Sequence, residues 1–187
     1  ILNRPSGPGT NSMSNPFQLL GLPLTFNVDD AALRRAYLAK VAAVHPDLAS
    51  ADDSQGASAE LNHARELLAN PEARANALLS LLGGPTKEAD KSLPPAFLME
   101  IMETREAIET ALASGDPAER ARWLEWGEKE RQSYITQARE MFGALGAAPS
   151  IASLNQVRTT LNAWRYIERL IEQLDPAYDP AKADFNR

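Results

Sequence analysis

A chain of 187 residues with 44% hydrophobic but only 6% aromatic side chains has apolar mass for one packed domain or two small ones, and its wealth of Ala, Leu, Glu and Arg favours helix over sheet. A net charge of −6, from 25 acidic and 19 basic residues, argues against a nucleic-acid partner. With no cysteine, disulfides, thiol catalysis and cysteine-held zinc or iron–sulfur clusters are excluded, and two histidines, His45 and His63, are too few for a metal site.

The first twelve residues, ILNRPSGPGTNS, read as disordered or as sequence added ahead of Met13, so 1–14 is set aside. NPFQLLG (Asn15 to Gly21) predicts a short helix with proline at its start and glycine at its end. After PLTFNVDD, Asp29 or Asp30 caps a longer helix. Leu33, Tyr37, Val41 and Val44 form its apolar stripe, with Arg34, Arg35 and Lys40 off it. This helix stops at His45, because the residue before a proline is pushed out of the helical region. LASADDSQGAS reads as a polar loop, and the next helix as running from about Ala57 to Ala69, broken at Asn70-Pro71. EARANALLSLLGG gives one more short helix ending at a double glycine. PTKEADKSLPP (Pro85 to Pro95) reads as a polar linker. Three helices follow, from about Ala96 to Ala113, Pro117 to Leu145 and Pro149 to Leu174, with short connections that make neighbours antiparallel. The tail from Asp175, broken by two prolines, reads as loose. No period-two strand pattern and no apolar run near the ~18 residues of a membrane span occurs, and no signal peptide is read. The expectation is an all-α protein in the cytoplasm, without a membrane partner.

His45-Pro46-Asp47 has two readings from the residues alone. It is a helix stop with a local turn bond from Asp47, or it is the rigid tip of a helical hairpin. In the second reading Pro46 fixes the backbone, and Asp47 is held out to receive a partner's arginine. Arg34, Arg35 and Lys40 then supply positive charge behind the tip. The surrounding segment holds more acidic than basic residues, so only a local basic face would steer docking.

The helix from Phe97 also divides. On a wheel of about 100° per residue, Ile101, Thr104, Ile108 and Leu112 fall near Phe97, while Met99, Met102, Glu103 and Glu106 fall on the other side with Leu98 at the edge. The methionines suit either a second buried face or a partner-binding patch, adaptable and selective for basic partners through the glutamates. On the last helix Leu154, Val157, Leu161, Trp164 and Ile171 form a stripe, with Tyr166 roughly opposite. His63 reads as structural and partly exposed. Glu100, Glu103, Glu106 and Glu109 read as a solvated face, since no histidine joins them at the spacing of bundle metal sites. Trp123 and Trp126 read as bundle or linker packing. Ser80 and Ser133 lack a neighbouring base and carry no catalytic role.

FQLLGLP, the helix ending YLAKVAAV and the His45-Pro46-Asp47 corner resemble a J-domain. LNHARELLANPEARANALLSLLG, followed by FLMEIMETRE, narrows the resemblance to HscB, the dedicated J-protein co-chaperone of iron–sulfur cluster assembly, over about Asn15 to Leu174. It implies a J-domain at 15–83, a linker at 84–95, a three-helix scaffold-binding bundle at 96–175 and a loose tail at 176–187. It further implies that His45, Pro46 and Asp47, with Arg34, Arg35 and Lys40, engage a DnaK/HscA-type chaperone and stimulate its ATPase. Leu98, Met99, Met102, Glu103, Arg105, Glu106 and Tyr166 match the positions that hold the IscU-type scaffold. The chain departs from common J-domains at Leu48, where lysine is frequent, and at Val44, where an aromatic is common. Some relatives carry an N-terminal cysteine zinc module; this chain lacks it, and no cofactor is implied. The expected function is that of a non-enzymatic adaptor. The rivals are a J-protein serving another client and a structural helical interaction protein whose tripeptide merely stops a helix.

Overall fold

Asparagine, proline and glycine write the helix ends of this chain. The computed structural model describes residues 15–43 and 51–177, with side chains at 51–55 excluded, and the expected corner at His45-Pro46-Asp47 lies outside them, as do Val44 and Leu48. Among the described residues there are seven helices and no strand, in two compact units.

Of the described residues, the first unit takes in 15–24, 29–43 and 51–68. Its α1 (Pro16–Leu20) starts under Asn15, whose Oδ1 accepts the N–H groups of Phe17 and Gln18. It ends at Gly21 in the left-handed region, φ 69°, a conformation glycine adopts without a side-chain penalty. Leu22 N–H then closes back on Phe17 C=O at 2.8 Å. Helix α2 (Asp30–Ala43) is capped by Asp29, whose Oδ2 accepts Ala32 N–H at 2.8 Å. Helix α3 (Ala51–Ala69) begins six residues before the expected start. Gly56 costs a helix only about 1 kcal/mol relative to alanine, and helix formers at Ala57 and Ala59 carry the backbone through it. Phe17, Leu20, Leu33, Leu61, Ala64 and Leu68 are buried. Tyr37 ties α2 to α3: its hydroxyl donates to Asn62 Oδ1 at 2.6 Å, and the Arg65 guanidinium lies over its ring.

The second unit comprises, of the described residues, Thr25–Val28 and 69–177. Asn70 caps α4 (Pro71–Leu81), accepting Ala73 N–H, with proline in the first turn where its missing N–H is harmless. Helices α5 (Phe97–Ser114), α6 (Pro117–Ala144) and α7 (Ile151–Leu174) agree with the expected three to within two residues. They pack as an up-and-down bundle, joined by the short turns that enforce antiparallel neighbours. Phe97, Ile101 and Ile108 of α5 pack with Ala163, Ile167, Leu170, Ile171 and Leu174 of α7, and Trp123 and Trp126 of α6 close this core from the side. Phe26 stacks on Phe142 at 5.7 Å under the Arg74 guanidinium, seating Thr25–Val28 on α6.

Helix α7 is covered on two sides, since α4 packs against it as well as α5 and α6. The expected linker is not a free tether. Asn162 donates to the carbonyls of Asp90 (3.0 Å) and Ser92 (2.9 Å), and Leu93 packs on the core, so 85–95 is strapped to α7.

Two side-chain arrangements lock α6 to α7. Arg131 grips Glu168 with Nε and Nη2 at 2.8 and 2.6 Å, and Trp164 Nε1 donates to the same carboxylate at 2.8 Å. Gly127 lets Ile171 approach so closely that a Cβ there would sit 2.6 Å from Ile171 Cγ1. Gly127→Val is therefore expected to lower stability by about 1–3 kcal/mol through overpacking, read as an earlier urea midpoint at unchanged slope.

Tyr134 stacks on Trp164 with ring centroids 6.3 Å apart. Burial, then the negative charges of Glu130 and Glu100, push its phenol up to about 12. The neutral phenol is thus favoured in the fold. Its contribution is fully present below about pH 10, the unfolded value, and is lost as pH rises through about 12. Spectrophotometric titration of the folded protein is expected to show a late tyrosine phase that Tyr134→Phe removes.

Candidate functional site

The two candidate surfaces lie on α2 and α5. On α2 the covered side runs through Leu33, Tyr37 and Val41, and Arg34, Arg35 and Lys40 are all exposed. They do not share one narrow face. At about 100° per residue, Arg34 and Lys40 flank the covered side and Arg35 lies opposite it. The Lys40 stem passes Gly21, whose Cβ would stand 3.9 Å from Lys40 Cε. Among the described residues none of the three forms an ion pair, so their charge is presented to solvent. Leu38, on the same helix, is 54% exposed.

On α5 the wheel left the methionines as core or patch, and the packing settles where they stand. Phe97, Ile101, Ile108 and Ala111 fill the buried side, while Met99 is 69% and Met102 65% exposed, with Leu98 at 52%. Glu103, Arg105 and Glu106 are exposed beside them. All six lie within a half-turn of the helix surface, opposite the core. Arg105 is already engaged: its Nε donates to Glu109 Oε1 at 2.7 Å. That leaves Glu103 and Glu106 as the charges flanking the apolar strip. Tyr166 of α7 meets Phe97 with the two rings nearly perpendicular, at a centroid distance of 5.8 Å, and stays 39% exposed. Leu98, Met99 and Met102 thus form an exposed apolar strip flanked by the exposed carboxylates Glu103 and Glu106.

His63 is exposed on α3, Glu100, Glu103, Glu106 and Glu109 are exposed, and Ser80 and Ser133 face outwards. Among the described residues no group of three or more His, Asp or Glu is placed to hold a metal, and no helix is long and apolar enough to cross a membrane.

Sequence reasoning missed the polar row of α7. Arg158 is buried, and its Nη1 donates to Asn76 Oδ1 of α4 at 2.7 Å. Asn162 holds the 85–95 strap, and Arg165 lies between Glu172 (2.8 Å) and Glu72 of α4 (3.6 Å). Burial pushes the Glu72 carboxyl above the usual carboxylate range despite the pull of Arg165. The available signal was the run RTTLNAWRYIERL, in which Arg158, Asn162, Arg165 and Arg169 fall within about 60° of one another on a helical wheel, a polar row that α4 and the 85–95 segment cover.

Residues 93–175 match the family model of the HSCB C-terminal oligomerisation domain. The chain is 34% identical over 165 residues to the co-chaperone protein HscB homolog of Burkholderia thailandensis, a match covering 82% of this chain and 94% of that protein. It is 30% identical over 182 residues to the corresponding protein of Mannheimia succiniciproducens, covering 92% of this chain and 100% of the other. The solved chaperone HscB from Vibrio cholerae superposes with a TM-score of 0.64 at 29% identity, covering 86% of this chain and 94% of that one.

Proposed function

Since the chain belongs to the HscB family of co-chaperones of iron–sulfur cluster assembly, we propose that it binds an IscU-type scaffold on its bundle and delivers it, in the cytoplasm, to a DnaK/HscA-type chaperone whose ATPase it stimulates. The observation that carries this reading is the α5 patch. Leu98, Met99 and Met102 stand out of a helix whose opposite side is already filled by Phe97, Ile101 and Ile108, so fold stability does not account for three large apolar side chains in water. A partner that covers them does.

The mechanism is recruitment. The scaffold seats its apolar contact on Leu98, Met99, Met102 and Tyr166, with basic groups facing Glu103 and Glu106. His45, Pro46 and Asp47 engage the chaperone, with Arg34, Arg35 and Lys40 adding positive charge. One chain holding both partners converts the meeting of scaffold and chaperone into a local event, raising the effective concentration of one at the other without new chemistry. Nucleotide hydrolysis takes place on the chaperone, and this chain places no residue on the reacting phosphate.

Titrating an IscU-type scaffold into the full chain tests the reading. A saturable complex is the expected result. Absence of a complex, with ATPase stimulation retained, assigns the chain to another client.

A further inference from the structure

Resting on the scaffold-binding reading, we propose that the cleft between α4, the 85–95 strap and α7 is a second contact for the same partner, one that receives a carboxylate of the scaffold.

The cleft encloses about 320 Å³, with Lys87 and Lys91 of the strap and Arg158, Arg165 and Arg169 of α7 in its walls against two carboxylates, Glu72 and Glu88. A positive concavity is unusual on a chain whose net charge is −6, and a low-dielectric wall concentrates its field on an entering anion. The carboxylates of the lining are fewer than its cations: Glu72, which faces Arg165, and Glu88 on the exposed side of the strap.

Arg158 is the decisive group. It is 3% exposed, its one hydrogen bond goes to the neutral amide of Asn76, and its Nε is buried without a hydrogen-bond partner among the described residues. A buried guanidinium held by a neutral acceptor is poorly compensated. Consistent with that, burial draws its pKa down against the pull of Glu72, Asp90 and Glu88. A carboxylate entering the cleft that Arg158 lines would set a negative charge beside a guanidinium that Asn76 holds only through a neutral amide.

Position makes the occupant part of the docked partner. Tyr166, one of the proposed scaffold contacts, also lines this cleft, so the two proposed contacts share that side chain. The partner's recognition surface should then be bipolar, basic opposite Glu103 and Glu106 and acidic beyond Tyr166.

The test uses the full chain and two probes, an acetylated, amidated tri-glutamate peptide and inorganic phosphate, followed by NMR. The peptide is expected to shift the Arg158 Nε–H and Tyr166 ring resonances saturably, and the exposed change Lys91→Glu to weaken that binding about tenfold. No shift with the peptide, or tighter binding of phosphate than of the peptide, overturns a protein carboxylate as the occupant. With scaffold, Lys91→Glu is expected to weaken the complex about tenfold at low salt and less at high salt; an unchanged affinity overturns the proposal. If the unmodified chain fails to bind scaffold at all, the delivery reading falls, while the peptide still decides the chemistry of the cleft.

Discussion

Replacing Met99 and Met102 together with alanine is expected to weaken the scaffold complex by about 2–4 kcal/mol, roughly 30- to 1000-fold in dissociation constant. The estimate comes from two large apolar side chains near the middle of a docking patch, each with the weight of a central interface residue. Both project into solvent in the free chain, so the same substitutions should move its own stability by no more than about 0.5 kcal/mol. Glu103 and Glu106 stand at the rim of the patch. Charge removal there is expected to act on association rate and salt dependence more than on lifetime of the complex. Titration calorimetry of the double variant, beside its thermal melt, checks both halves. Loss of binding with an unchanged melt supports the patch, and undiminished binding removes it.

Asp47→Asn is expected to abolish stimulation of the chaperone's ATPase while leaving scaffold affinity unchanged. The substitution keeps the size and most of the hydrogen-bonding shape of the side chain but removes its charge, so it discriminates against an arginine partner. It also separates the trigger from a mere helix stop, because the stop depends on Pro46 and survives the change. Steady-state phosphate release with wild-type and variant chains measures it. Stimulation that survives Asp47→Asn assigns the trigger elsewhere.

Local chemistry made much of this fold legible. Asn15 with Gly21, Asn70 with Pro71, and Asp116 with Pro117 mark helix ends by supplying the side-chain acceptors and special backbone conformations that helix ends require. The two-sided character of α5 was equally readable, because a 3.6-residue period separates Ile101 and Ile108 from Met99 and Met102 whatever surrounds the helix. The period alone left open whether the second side was buried; that depends on which helices approach it, and none covers Met99 or Met102.

What escaped the sequence depends on tertiary neighbours. Helix α3 begins early because a single Gly56 penalty is small beside the bonds of a continuous helix. The 85–95 segment reads as a polar linker, and its sequence leaves open whether it is packed or loose; two hydrogen bonds from Asn162 and the packing of partly buried Leu93 fasten it. Arg158 is buried because α4 closes over α7 from the side that the Leu154-to-Ile171 stripe left polar. No spacing rule places α4 there. The three bearings of Arg34, Arg35 and Lys40 around α2, by contrast, follow from their spacing at about 100° per residue.

The central claim is that one chain couples a scaffold to a chaperone's hydrolysis. It is tested most directly by the chaperone's ATPase rate with this chain, measured with and without saturating IscU-type scaffold. The account predicts stimulation by the chain alone and a further increase with scaffold. It predicts that Met99→Ala with Met102→Ala removes only the scaffold-dependent increase, and that Asp47→Asn removes both. A scaffold-dependent increase that persists undiminished in the double-methionine variant at subsaturating scaffold would contradict it, as would a wild-type chain whose effect scaffold does not alter.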